Sequence, residues 1–268
     1  MTGTASSQLD HETKVQLFIY AALMIGLWLT EAIIISESFK SKCAHALRNI
    51  KFIGTALPVQ LIMTIPVLAV SAMVNERHWG ILSWSVFSKH HLIKLAVGFL
   101  MLDFLDYVYH VSMHKFKPLW RFHLVHHTDN EMDVTTTVRE HPGETFLRMC
   151  FLIVWILLTG VGAGLLLLRQ TCETISNVTS HTSFRLAPKA ERLIGLLFVT
   201  PNIHHVHHHF ELPYTDCNYG DVLSIWDRIF GTYKSLAKND TMFGVDTHMD
   251  ETVVSNFVET IKIPFRNS

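Results

Sequence analysis

Long apolar segments alternate with short polar ones along the first two thirds of the chain. Four of them have about the length that a membrane-spanning helix needs; they occupy residues 15–35, 52–74, 92–108 and 146–168. Pro58 and Pro66 lie inside the second segment, and membrane helices tolerate internal proline. The pattern predicts an all-α fold, a polytopic bundle of membrane helices.

The fourth apolar segment differs from the others because it contains a run of glycines, Gly160, Gly162 and Gly164. Glycine weakens a helix, so the segment is either one span or two helices that meet as a hairpin. The early loop with Lys40, Lys42, Arg48 and Lys51 is basic and is therefore predicted to be cytoplasmic. The second and third spans then bring His110 to the cytoplasmic side. Later histidines can join it only if the fourth segment returns, so we predict a membrane hairpin at about residues 146–181.

Composition agrees with a membrane protein. Hydrophobic residues make up 49% of the chain and charged residues 17%, against about 25% charged in soluble proteins. The net charge of −1 gives no reason to expect a nucleic-acid partner. We predict N-terminal transmembrane helices in residues 1–109 and a catalytic region in residues 110–268, whose more polar end forms a cytoplasmic helical cap. A bacterial inner membrane and the endoplasmic reticulum both fit.

Histidine is unusually abundant, with 18 residues against 22 lysines and arginines together. Three clusters stand out, and in each the spacing places imidazoles on a shared helix face. His123 and His126 are expected to face together, with the adjacent His127 diverging toward a neighbouring metal. The clusters are His110 with His114; His123 with His126 and His127; and His204 with His207 and His208.

Together the clusters offer eight imidazoles, more than one metal ion can use. A structural zinc site takes four ligands, whereas two six-coordinate metals could share eight, and imidazole suits iron, zinc, copper and nickel. The four cysteines are dispersed and predict no thiolate site. The alternatives are a histidine-rich surface with accidental spacing, a membrane metal-binding or metal-transport protein, and a zinc hydrolase. Transporters place ligands near the middle of the membrane, and a hydrolase would want a motif such as His-Glu-x-x-His, which does not occur here.

The chain resembles the fatty acid hydroxylase superfamily, also called the sterol desaturase family, over residues 106–233. The residues that carry the resemblance are Asp106-x-x-Tyr109-His110, His114, Leu119-Trp120-x-x-His123-x-x-His126-His127, Arg139-x-His141-Pro142-x-Glu144, Thr200-Pro201-x-x-His204-x-Val206-His207-His208, Asn218-Tyr219-Gly220 and Trp226-Asp227-Arg228-x-Phe230-Gly231-Thr232-Tyr233. The resemblance implies a non-haem di-iron centre, with zinc as a substitute in some preparations, and molecular oxygen as co-substrate. It also implies hydroxylation or desaturation of a sterol or acyl lipid taken from the bilayer. Electrons would come from an external donor, a b-type cytochrome or a ferredoxin system.

The resemblance implies a ninth ligand on a returning helix, where His181 fits and Asn177 stands in place of a further histidine. Metal-bound imidazoles usually donate a hydrogen bond from the other ring nitrogen, and the candidates to hold them in this way are His141, Asp106 and Asp227. The alternatives are a turn-capping role for His141 and ordinary salt bridges, with Arg121 or Arg228, for the two aspartates. Of the remaining histidines, His45 is expected in solvent, and His205 and His209 at the surface or hydrogen-bonded within their cluster.

Overall fold

Helices form nearly all of the regular structure in this computed structural model, which describes residues 2–34, 38–88 and 90–266. The predicted all-α class is confirmed, since no β-strand, only isolated bridges, occurs in those ranges. The helices are α1 (Thr2–Ile34), α2 (Phe39–Glu76), α3 (Ser85–Ser88), α4 (His91–Lys115), α5 (Lys117–His127), α6 (Pro142–Thr159), α7 (Ala163–Ser180), α8 (Pro188–Ile194), α9 (Pro201–His207), α10 (Ile225–Ile229), α11 (Glu251–Val254) and α12 (Phe257–Ile261).

Three segments are long and apolar enough to cross a membrane: Lys14–Ile34 in α1, Phe39–Ser83 beginning with α2, and Pro142–Thr159, which is α6. Many of their apolar side chains are exposed, such as Phe18 at 74% and Ile65 at 70%, which suits contact with lipid. The third predicted span lies in α4, which is not among the three. Lys94, Asp103 and Asp106 make α4 less apolar, and both aspartates are buried.

Helix α2 begins earlier than the hydrophobic pattern predicts. The prediction that the basic segment 40–51 forms a loop is therefore wrong. Residues 39–51 are helical, and two of the basic side chains are paired with acids. Lys42 Nζ lies 3.3 Å from Glu31 and 2.9 Å from Asp133, and Arg48 pairs with Glu131 at 2.5 Å. These pairs fix the start of α2 against residues 129–135.

Helices α2, α4, α6 and α7 pack together around one apolar core. Its fully or nearly fully buried members include Val74, Leu102, Ile156 and Leu165, one from each helix. Burial of such a side chain stabilises the fold by about 1.5–3 kcal/mol. The core joins the four helices near one end of the bundle. The histidine clusters lie near the opposite end of the same bundle.

The fourth apolar segment forms two helices, α6 and α7, separated at the glycines as predicted. Gly160 ends α6 with a φ of 74°, a left-handed conformation that glycine adopts without strain. A side chain at Gly160 would also overlap the carbonyl oxygen of Trp79. Because α6 begins and α7 ends beside the histidine clusters, the two helices run antiparallel. The crossing of a membrane by this pair stays a prediction.

The predicted boundary between residues 109 and 110 falls inside α4, which continues without interruption to Lys115. The helices after residue 187 are short, and they are joined by loops that wrap around α9. Phe210, for example, forms backbone hydrogen bonds with Met242 and Asp246. This part of the chain therefore encloses the third histidine cluster.

Candidate metal centre

Nine buried or half-buried histidines form two adjacent groups. The first group holds His110, His114, His123, His127 and His207; the second holds His126, His181, His204 and His208. Within each group one nitrogen from every ring lies within 4.8 Å of the others. These are the nine residues that the sequence and its family resemblance propose as ligands, and the fold brings all of them together.

Helices α5 and α9 each contribute to both groups. On α5, His123 and His127 belong to the first group and His126 to the second; on α9, His204 and the adjacent His208 belong to the second and His207 to the first. The expectation that His123 pairs with His126 while His127 diverges is therefore wrong. Residues four apart are separated by about 40° around a helix and residues three apart by about 60° the other way, and here the i, i+4 pairs share a group.

Helices α4 and α7 complete the groups. His110 and His114 lie one turn apart on α4 and enter the first group, while His181 follows the end of α7 and enters the second. The Nε2 atom of His181 lies 3.1 Å from that of His126 and 3.0 Å from that of His204. Asn177 contributes its backbone carbonyl, which accepts a hydrogen bond from His181 Nδ1 at 2.7 Å.

Four of the nine rings donate to a backbone carbonyl from the nitrogen that points away from the groups, whereas the Nδ1 atoms of His127, His204 and His208 are buried without a hydrogen-bond partner. His110 Nδ1 donates to Tyr219 O at 2.9 Å, His207 Nδ1 to Cys217 O at 2.7 Å and His126 Nδ1 to Arg139 O at 3.3 Å. Such bonds fix the tautomer, so that Nε2 keeps its lone pair for the centre of the group. The loop 217–219 thus orients ligand candidates from two different helices.

One carboxylate holds a ring of the first group directly, and a second lies near another ring. Glu144 Oε1 accepts a hydrogen bond from His123 Nδ1 at 2.6 Å, whereas Asp216 Oδ1 lies 3.4 Å from His114 Nδ1 without forming a hydrogen bond. Sequence reasoning gave neither carboxylate this role. The position of Glu144 within the family motif was the one signal for it.

His141, predicted to hold a ligand imidazole, contacts none of them. Its Nδ1 accepts the backbone N–H of Gly143 at 2.8 Å, and its Nε2 donates to Ile261 O at 3.2 Å. The residue before Pro142 is the N-cap of α6, and its ring satisfies one of the unpaired amides of the first turn. The capping alternative therefore describes His141.

The two predicted aspartates also form no hydrogen bond with an imidazole among the described residues. Asp106 accepts a hydrogen bond from Arg169 Nε at 2.6 Å, because a buried carboxylate requires a charged partner. Asp227 accepts the backbone N–H groups of Tyr219 and Gly220 at 2.7 and 2.9 Å. Asp227 therefore fixes the loop whose Tyr219 carbonyl holds His110.

For most of the ligand candidates, burial lowers the pKa and so favours the neutral form that metal binding requires. Desolvation lowers the pKa of His181 to about 4 and holds the pKa values of His204 and His207 well below the usual value, with neighbouring imidazoles adding to the effect on the latter two. His207 Nε2 and His114 Nε2 are buried and have no hydrogen-bond partner. Unpaired buried nitrogens are costly, and a cation at the centre of the first group, to which both residues belong, would satisfy them. The all-imidazole donor set suits a transition metal such as iron.

A second polar network, missed from the sequence, supports the site from the α2 side. His45 is buried rather than solvated, with its nitrogens 2.8 Å from Asp129 and 3.0 Å from Asp133. Arg139 extends the network by donating to Asn49 Oδ1 and to the Val125 carbonyl in α5. A lone histidine in a basic segment gave no sign of these distant partners.

His205 and His209 lie outside both groups and are buried rather than exposed. His205 Nε2 donates to Thr182 O at 2.8 Å, and His209 Nδ1 accepts the backbone N–H of Met242 at 3.2 Å. Both side chains attach the α9 region to neighbouring loops.

The apolar helices and the paired histidine groups define a membrane protein with a candidate dimetal centre. The family model described as fatty acid hydroxylase matches residues 95–232, about half of the 268 residues. The chain belongs to the fatty acid hydroxylase family.

Similar proteins of established function are lipid hydroxylases and monooxygenases. Ornithine lipid hydroxylase OlsE of Rhizobium tropici is 25% identical over 215 residues, which cover 80% of this chain and 60% of that protein. Alkylglycerol monooxygenase of Homo sapiens is 28% identical, with 63% of this chain and 36% of that protein covered. Cholesterol 25-hydroxylase of Homo sapiens is 25% identical, with 54% and 52% covered. This chain thus spans at most 60% of the length of these three relatives. No solved structure matches.

Proposed function

We propose that this protein is a membrane oxygenase that binds two iron ions and uses molecular oxygen to hydroxylate or desaturate a C–H bond of a lipid. The observation that carries the proposal is the pair of adjacent, buried, all-histidine groups in a chain with membrane-spanning segments. Family membership and the lipid-oxidising relatives point in the same direction.

Two iron ions in these groups would supply the oxygen-dependent cleavage of an unactivated C–H bond. The chain itself would hold them through five imidazoles in the first group and four in the second. The stacked rings of His127 and His208, with centroids 4.4 Å apart, keep the two groups adjacent. Glu144 and the carbonyls of Tyr219, Cys217 and Arg139 would keep the rings oriented, and burial would exclude water.

The electrons would come from a separate protein, a b-type cytochrome or a ferredoxin system. Protein iron–sulfur clusters are held by groups of cysteine thiolates, whereas the four cysteines here are free and widely separated in sequence. A membrane metal transporter is disfavoured because its ligands would lie inside the spans, and the nine histidines lie outside the three apolar segments.

We place the site on the cytoplasmic side and assign residues 110–268 as the catalytic region. The support is the contact between the start of α2 and the segment after His127, where Lys42 meets Asp133 and His45 meets Asp129. The basic residues 40–51 mark the cytoplasmic end of α2, so the histidine groups would lie at that end too.

The test is metal analysis combined with lipid analysis of the purified protein in lipid nanodiscs. We expect about two iron ions per chain, and a product that has gained one oxygen atom or lost two hydrogens only when oxygen and a reductant are present. His208→Ala should lose iron and product, because it removes one of four nitrogens from the second group. Its neighbour His209 is buried but outside both groups, so His209→Ala should retain both. Oxidised lipid formed without oxygen, or formed equally by His208→Ala, would contradict the proposal.

A further inference from the structure

A cavity of about 270 Å³ lies beside the second histidine group. It is an open cavity lined by residues of α1, the end of α7, α8 and the start of α9. Most of its walls are apolar, and they include Leu27, Phe184, Leu186, Ile194, Val199 and Pro201. Cavities of roughly this size and character bind small apolar ligands.

Several wall residues are close in sequence to imidazoles of the second group. Two wall residues, Thr179 and Thr182, flank His181 in the chain. Pro201 is the first residue of α9, the helix that carries His204. An occupant of the cavity would therefore lie against the backbone that positions two of the four imidazoles in this group.

The cavity has one charged wall residue, Arg185. Its guanidinium keeps its positive charge, but two of its donors are engaged by neutral groups that are not wall residues: Nε donates to His205 Nδ1 at 3.1 Å, and a terminal nitrogen donates to Thr241 Oγ1 at 2.6 Å. Six of the ten wall residues are apolar, and these walls favour a hydrocarbon chain, because apolar surface gains most from burial against apolar surface.

The cavity also adjoins surfaces that suit a bilayer. Leu27 belongs to the apolar segment Lys14–Ile34. Next to Ile194 and Val199, the apolar side chains of residues 193 and 196–198 are 45–75% exposed. Lys189 and Arg192 are exposed on the same short helix. An apolar edge next to basic residues is typical of a protein surface that sits in the interface of a membrane with anionic lipids.

We propose that this cavity binds the acyl chain of a membrane lipid, which enters between α1 and α8. The step from chain binding to chain oxidation rests on the proposed oxygenase function. The binding itself does not, since it depends only on the size of the cavity, its apolar walls and the apolar surfaces beside it.

The experiment uses the full-length protein in nanodiscs that contain a phospholipid with a diazirine at the end of one acyl chain. Illumination attaches the probe to nearby residues, and mass spectrometry locates it. Thr182 is a wall residue and is only 4% exposed. Labelling at Thr182 therefore reports that the acyl chain has entered the cavity. Leu27→Trp fills the cavity, and Leu29→Trp is the matched control, because Leu29 lies on the same helix but is 45% exposed and not a cavity wall.

We expect labelling at Thr182 in the unmodified protein and in Leu29→Trp, and its loss in Leu27→Trp. If Leu27→Trp does not fold, Leu27→Ala provides a second test: it widens the cavity and should keep or increase the labelling. Absence of labelling at Thr182 in the unmodified protein, or equal labelling in the two tryptophan variants, overturns the proposal. Loss of labelling in Leu27→Trp supports chain binding even if the unmodified protein forms no oxidised lipid, in which case the oxygenase proposal alone fails.

Discussion

Replacement of Glu144 should weaken iron binding without removing a ligand. Its Oε1 lies 2.6 Å from His123 Nδ1, and both side chains are only 8% exposed. Loss of such an acceptor from a metal-bound imidazole lowers metal affinity about 10- to 100-fold, which corresponds to about 1.4–2.8 kcal/mol. We expect a loss of this size for Glu144→Ala. Glu144→Gln should fall between this variant and the unmodified protein, because it keeps an oxygen acceptor but loses the charge.

The assay is competition for ferrous iron between the protein and a chelator of known affinity, with iron per chain measured after separation. Glu140→Gln is the control, because Glu140 lies half-buried just before α6 but pairs with Thr145 and Arg148 rather than with a histidine. A thermal melt separates an effect on the fold from an effect on iron. Iron affinity of Glu144→Ala equal to that of the unmodified protein would refute the reasoning that His123 depends on this carboxylate.

Three further predictions concern stability. For Asp133, burial raises the pKa, but the bonds and charges of His45 and Lys42 outweigh it and hold the pKa below the ordinary 3.8. The stabilisation of the fold by ionised Asp133 is therefore complete above pH 3.8. It disappears as the pH falls through the lower pKa that Asp133 has in the folded protein. Asp133→Asn should melt lower than the unmodified protein at pH 7, with the difference shrinking only below pH 3.8; a constant difference would contradict this. His141→Ala should lose about 1 kcal/mol of stability through the lost cap of α6 while its iron content, measured by mass spectrometry, stays the same. Gly160→Ala should lower the melting temperature strongly because the glycine has a φ of 74° and a crowded Cβ position, whereas Gly164→Ala, with open space, should not; equal melting temperatures would argue against the tight turn.

The sequence indicates which histidines within one helix come together, because their spacing along the helix is a local property. His110 and His114, or His204 and His208, share a face in any helix that contains them. The assignment of His126 to the other group was not predictable in this way, since spacings of three and four residues both place rings on neighbouring faces. The helix phase relative to α4 and α7 decides between them.

Long-range partners could not be found from a single sequence. The carbonyls of Tyr219 and Cys217 approach His110 and His207 only because a loop folds back over α4 and α9. The burial of His45 likewise depends on Asp129 and Asp133, more than 80 residues away. The start of α2 was misplaced because its first turns are polar, and tertiary ion pairs rather than hydrophobicity hold them.

The division of adjacent residues between the two histidine groups has a consequence for how the protein would acquire its metal. His126 and His127 are adjacent in sequence, as are His207 and His208. In each pair, one residue belongs to the first group and the other to the second. An ion bound in one group would fix the orientation of α5 and α9. It would thereby also orient the imidazoles that these helices contribute to the other group. We expect uptake of the first ion to ease uptake of the second, so that half-filled molecules are scarce at every metal concentration.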